Sequence, residues 1–144
     1  MYLCNIKTKT MNCTDFNADI IPVDGNISPD IMQQIRGMLK CGKCAQCLYT
    51  YIMLAPTMSD VELMELFGID LVEQEDLKDD LALLAGLRLN PYPNLQRIAR
   101  VNKALQRISL QKERSNKALI KHYINECLRQ LEGDMLEEYF NMSP

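Results

Sequence analysis

Cys41, Cys44 and Cys47 fall at every third position of the run Lys40-Cys41-Gly42-Lys43-Cys44-Ala45-Gln46-Cys47, and they are half of the six cysteines in the chain. Three thiols this close cannot all pair with one another, and adjacent thiolates repel unless a cation lies between them. A bound metal is the economical reason for such a run. Left bare, so dense a set of thiols would be prone to oxidation.

Two kinds of centre are compatible with the spacing. Zinc takes four ligands in a tetrahedron, usually as two Cys pairs on separate turns. A [4Fe-4S] cluster takes one thiolate per iron, and C-x2-C-x2-C opens the ferredoxin-type ligand run. Three ligands from one tight loop with a distant fourth match the cluster more closely than zinc. Cys13 is the first choice for the fourth ligand, because Met11-Asn12-Cys13-Thr14-Asp15 reads as irregular backbone that can wrap a site. Cys4 is the alternative, and Cys4, Cys13, Cys41 and Cys44 would make a zinc site of two pairs. Cys127 shares a helix face with Ile120, Ile124 and Leu131, which is the setting of a small core residue. His122 is a more remote option.

The run Cys41-Gly42-Lys43-Cys44-Ala45-Gln46-Cys47 followed by a helix is similar to the cluster loop in the flavin-bearing subunit of respiratory NADH dehydrogenases. That family places its fourth Cys some tens of residues downstream, whereas no cysteine lies between Cys47 and Cys127 here. Cys13, Cys41 and Cys44 also resemble the layout of WhiB-type regulators, in which a remote Cys precedes a CxxC pair. Cys47 comes early for that layout, and the family's Trp-bearing turn has no counterpart in a chain without Trp. Both resemblances cover a small part of the sequence and imply a [4Fe-4S] cluster.

The elements that must position these thiols read as helical. With 144 residues, 47% apolar and 24% charged, the chain suits one soluble domain with a real core. The expected architecture is mainly α, about five to seven helices with a short irregular or β N-terminal arm tied down by the Cys-ligated site. Residues 1–27 form the arm, with alternation at Tyr2, Cys4 and Ile6 and a turn at Asp24-Gly25-Asn26. Residues 28–55 hold the Cys-loop helices: Ser28-Pro29-Asp30 starts one, Gly42 ends it, and a second runs from within the cysteines to Pro56. Residues 59–87 form an acidic helical segment. It opens with a capping box at Ser59-Asp60-Val61-Glu62 and continues in a helix over about 73–87. Residues 94–141 form basic and then acidic C-terminal helices, with Asn94 as a cap and an apolar-free stretch at 111–116 where the helix breaks or crosses solvent. Past Gly133 lies a short amphipathic tail.

Charge is segregated along the chain. Nine acids stand against Lys78 between Asp60 and Asp80, and eight bases against Glu113 between Arg97 and Lys121. Arg100, Arg107, Arg114 and Lys121 recur every seven residues. On a continuous helix they would share one face with Arg97 nearby, a surface for nucleic-acid phosphate or an acidic partner. The competing reading is a solvated face neutralised by the acidic segment, and the net charge of −3 favours it.

Catalytic signals are weak. His122 and Cys127 do not face each other on a helix, no glycine loop cradles phosphate, and all-Cys ligation leaves a metal no open position. No small-molecule substrate is implied. The absence of a signal sequence or an apolar span suggests a reducing compartment without membrane insertion. That compartment is the cytoplasm, a viral particle or the cytoplasm of an infected cell. The expected function is therefore a non-enzymatic, metal- or cluster-binding module that regulates or assembles a protein partner. Iron–sulfur redox or oxidant sensing is one alternative, and a nucleic-acid-contacting factor using 97–121 is another.

Overall fold

The structure, a computed structural model, describes residues 12–13, 15–23, 25–88 and 91–129. Among these it is mainly helical and contains no strand, with six α-helices. They are α1 (Pro29–Gly37), α2 (Ala45–Leu54), α3 (Asp60–Phe67), α4 (Lys78–Leu84), α5 (Leu95–Ser109) and α6 (118–129). Three short 3-10 turns join them, at Ala18–Ile20, Leu71–Glu73 and Glu75–Leu77.

Helix α2 is the axis of the fold. Every residue from Cys47 to Leu54 is buried, which is the composition and setting of a helix surrounded on all sides. It packs against α5 on one side and α4 on another, and against the turns at Ala18–Ile20 and Leu71–Glu73. Helix α5 presents Val101, Ala104, Leu105 and Ile108, the i, i+3, i+4, i+7 stripe of a half-buried helix. Leu119, Ile120 and Tyr123 of α6 are buried in the same core, while Ile124 and Cys127 pack against its edge. Helix α3 contributes Leu63 and Phe67, and the Phe67 ring lies 5.1 Å from that of Tyr51 at 58°.

The helix starts follow the capping chemistry of the sequence. Ser28 accepts from the Ile31 N–H with Pro29 in the first turn, and Asn94 accepts from the Arg97 N–H. Ser59 and Glu62 close a reciprocal capping box. Gly68 ends α3 in the left-handed conformation that glycine adopts without penalty.

Several helix ends differ from the expectation. Helix α1 stops at Gly37, not Gly42: Met38 is extended, Leu39 pairs with Asn12 in an isolated parallel bridge, and Leu39 is 59% exposed instead of joining the apolar face. The segment expected as one helix over about 73–87 is two 3-10 turns followed by the short α4. The long C-terminal pattern breaks at 110–117, where Arg114 and Ser115 donate to the Gln111 carbonyl. Residues 1–11, including the alternation at Tyr2, Cys4 and Ile6, and the tail from 130 onward lie outside the described residues.

Candidate metal centre

The parallel bridge between Asn12 and Leu39 lays the N-terminal arm beside the chain entering the cysteine run. Cys13 follows the bridge on one strand of chain, and Cys41 comes two residues after it on the other. The turn from Cys41 to Cys44 is tight, and Gly42 takes φ +72° within it. A Cβ at Gly42 would also meet Ile69 Cγ2 at 3.3 Å, so both backbone and packing call for glycine there. Cys44 then serves as the N-cap of α2, its Sγ accepting from the Cys47 N–H at 3.3 Å. That cap carries Cys47 into the first turn and aims it back at the other thiols.

All four Sγ atoms, from Cys13, Cys41, Cys44 and Cys47, lie within 4.8 Å of one another. Cys13 is 3.8 Å from Cys41 and 3.5 Å from Cys44, and Cys41 is 3.7 Å from Cys47. Cys13 and Cys47 are buried, Cys44 is half-buried and Cys41 is exposed. These four could hold a metal ion. Cys4 lies outside the described residues. Cys127 and His122 sit on α6 and are not part of the group.

The thiols differ in acidity. Burial opposes ionisation at Cys41, but the Lys43 N–H at 3.5 Å and the neighbouring thiols outweigh it and bring Cys41 down to about 7. Burial pushes Cys44 and Cys47 up. Of these three thiols Cys41 therefore ionises first, and a divalent ion at the site would favour deprotonation of its ligands.

Behind the thiols, the arm is held by polar contacts that the sequence did not advertise. Gln46 Nε2 donates to the Phe16 carbonyl at 2.9 Å. The Tyr49 hydroxyl donates to Asp19 at 2.6 Å. Arg97 grips both Asp19 oxygens, at 3.3 and 3.1 Å, and its guanidinium lies 4.6 Å over the Tyr49 ring. Gln46 stands inside the cysteine run, but nothing there marked Phe16 as its partner. Nothing in the spacing of Asp19 and Tyr49 linked them.

The basic residues separate by location. Arg100 donates to the Ile21 carbonyl and Arg107 to the Val23 carbonyl, both on the arm. Arg114 is 4% exposed, and donates to the Ala55 and Met58 carbonyls and to Asp60 at 2.8 Å. Lys117 pairs with Asp60 at 3.2 Å and also with Asp70. Lys121 is exposed. Because the chain turns at 110–117, Arg114 and Lys121 do not continue the α5 face that carries Arg97, Arg100 and Arg107.

The model of the MurL C-terminal domain family matches residues 31–138. The chain belongs to this family. The matched stretch takes in Cys41, Cys44 and Cys47 and leaves Cys13 upstream of it, so the family's region supplies three of the four thiols. No curated protein and no solved structure matches the chain significantly. No helix among the described residues is long and apolar enough to cross a membrane.

Proposed function

We propose that the chain is a zinc-stapled helical accessory domain, non-enzymatic in itself, that serves as an interaction module for an epimerase. The observation that carries the metal assignment is the sulfur spacing. A tetrahedral ion with Zn–S bonds of about 2.3 Å has sulfurs about 3.8 Å apart; three of the pairs here stand at 3.5, 3.7 and 3.8 Å, and all four sulfurs lie within 4.8 Å. A cubane attaches each thiolate to a different iron, so its sulfurs are held apart by the body of the cluster. A single ion would fit among these four thiols as they stand, whereas a cubane would have to push them outward.

Four thiolates close the coordination shell, which leaves no position for a substrate or an activated water. The metal's work is then mechanical: it ties residue 13 to the start of α2. The family whose model matches the chain is described as the C-terminal domain of an epimerase, which supports the choice of partner. On that basis the helical surface docks against the catalytic part of such an enzyme, with the thiol site keeping the surface in shape.

Metal analysis of the purified chain tests the assignment. One zinc per chain is expected, replaceable by cobalt with the visible bands of a tetrahedral thiolate site, and lost in Cys13→Ala. Iron with stoichiometric sulfide, and colour that bleaches with dithionite, would replace zinc with a cluster and the mechanical role with a redox one.

A further inference from the structure

Away from the thiols, a cavity of about 230 Å³ opens between α4, the loop 91–94 and the start of α5. Its apolar lining comes from Leu83 and Leu84 of α4 and Ile98 of α5. Two oppositely charged groups also line it, one from each helix: Asp80 and Arg97.

Asp80 is half-buried, and its carboxylate makes no hydrogen bond or ion pair among the described residues. Its neighbours are otherwise engaged, since Asp79 pairs with Arg88 at 2.7 Å and Lys78 with Glu75 at 3.4 Å. A cation arriving in the cavity would meet a carboxylate that no other side chain neutralises. Arg97 gives Nε and Nη2 to Asp19, and Nη1 is not used by that carboxylate. Asn94 spends its side-chain oxygen on the Arg97 N–H, which leaves its NH2 group as a donor.

A negative group, a positive group with an amide donor beside it, and an apolar floor together are complementary to a small zwitterion. We propose that this cavity binds a free α-amino acid with an apolar side chain. The ammonium pairs with Asp80, the carboxylate meets Arg97 and the Asn94 amide, and the side chain rests on Leu83, Leu84 and Ile98. The site does not depend on which metal the thiols hold, so it stands or falls apart from the reading above.

The test is a titration of the full metal-loaded chain with L-leucine, followed by calorimetry and by amide resonances. The two blocked analogues, L-leucinamide and N-acetyl-L-leucine, are titrated in parallel. L-leucine is expected to move the resonances of Asp80, Arg97 and Ile98. Each blocked analogue removes one charge pairing and should bind about tenfold more weakly or worse. Asp80→Asn should weaken L-leucine by a similar factor and leave N-acetyl-L-leucine unchanged. Leu83→Glu, at a partly exposed position on the cavity wall, provides a second variant should Asp80→Asn lose stability; it should abolish binding with the helical spectrum intact. Equal binding of all three compounds, or no response to L-leucine at millimolar concentration, would overturn the proposal.

Discussion

The two ends of α2 are anchored by opposite chemistry. At its N-terminus stand four sulfurs, one of them the helix cap. Past its C-terminus stands Arg114, donating to the Ala55 and Met58 carbonyls. A helix carries partial positive charge at its start and partial negative charge at its end, so thiolates suit the first and a guanidinium the second. A helix buried on every face gains little orientation from amphipathicity, since any rotation buries the same kind of surface. Its axial position and rotation are instead set where it meets charge. On the zinc reading proposed above, the four thiols and Arg114 do the same job, one through a group that a chelator removes and one through a group that it does not.

Breaking the first anchor should have the largest effect. Structural zinc in small domains contributes on the order of 10 kcal/mol or more of apparent free energy, which rivals the whole stability of a domain this size. Cys47→Ser, or exposure of the wild type to a strong chelator, is expected to abolish metal binding and most cooperative unfolding. Metal content and thermal melts by circular dichroism check this. Retention of a sharp melt without metal would mean that the second anchor suffices.

Breaking the second anchor should come next. Arg114→Met leaves the Ala55 and Met58 carbonyls without that donor and Asp60 with Lys117 alone, which is expected to cost about 3 kcal/mol in urea denaturation with metal content unchanged. Gly42→Ala should be smaller, about 1–2 kcal/mol from the left-handed backbone. It differs from Arg114→Met in kind, because the loss should appear as weaker metal retention against a chelator. Reversing Arg100 and Arg107 together to Glu should lower stability by roughly 1–2 kcal/mol through the lost carbonyl contacts of the arm. A stable double variant that had instead lost binding to nucleic acid would return that face to an external partner.

The smallest effect belongs to Asp19. Its carboxyl is held below the ordinary value of 3.8, first by the hydrogen bond from Arg97 and further by that from Tyr49. A carboxyl with a depressed folded-state value adds stability above its unfolded value and loses it as the pH falls through the folded one. The pair is partly exposed, so less than about 1 kcal/mol is at stake. The gap in Tm between the wild type and Asp19→Asn should hold steady near neutral pH and close below about pH 4.

Much of this arrangement was legible in the residues. The every-third cysteines pointed to a group that could hold a metal, and the irregular segment around Cys13 does bring its sulfur beside the other three. Caps at Ser28, Ser59 and Asn94 marked helix starts because their chemistry is local. Helix ends were less visible: the stop at Gly37 depends on Leu39 pairing with Asn12, a contact across 27 positions that no local pattern encodes. The cysteines also did not disclose that Cys44 would double as a helix cap. The seven-residue recurrence of Arg100, Arg107 and Arg114 suggested one face, but the chain turns after Ser109 and sends Arg114 to the far end of α2. A buried arginine facing carbonyls looks, in sequence, the same as one facing water.

The position of Cys13 upstream of residue 31 bears on how this domain can be cut and grafted. A fragment trimmed to the span the family model matches would keep three of the four thiols. On the zinc reading, water or a stray ligand would then take the fourth position, and a sealed staple would become an open, reactive metal ion. The smallest portable unit that keeps all four sulfurs therefore takes in Cys13, well ahead of residue 31 where the family match begins.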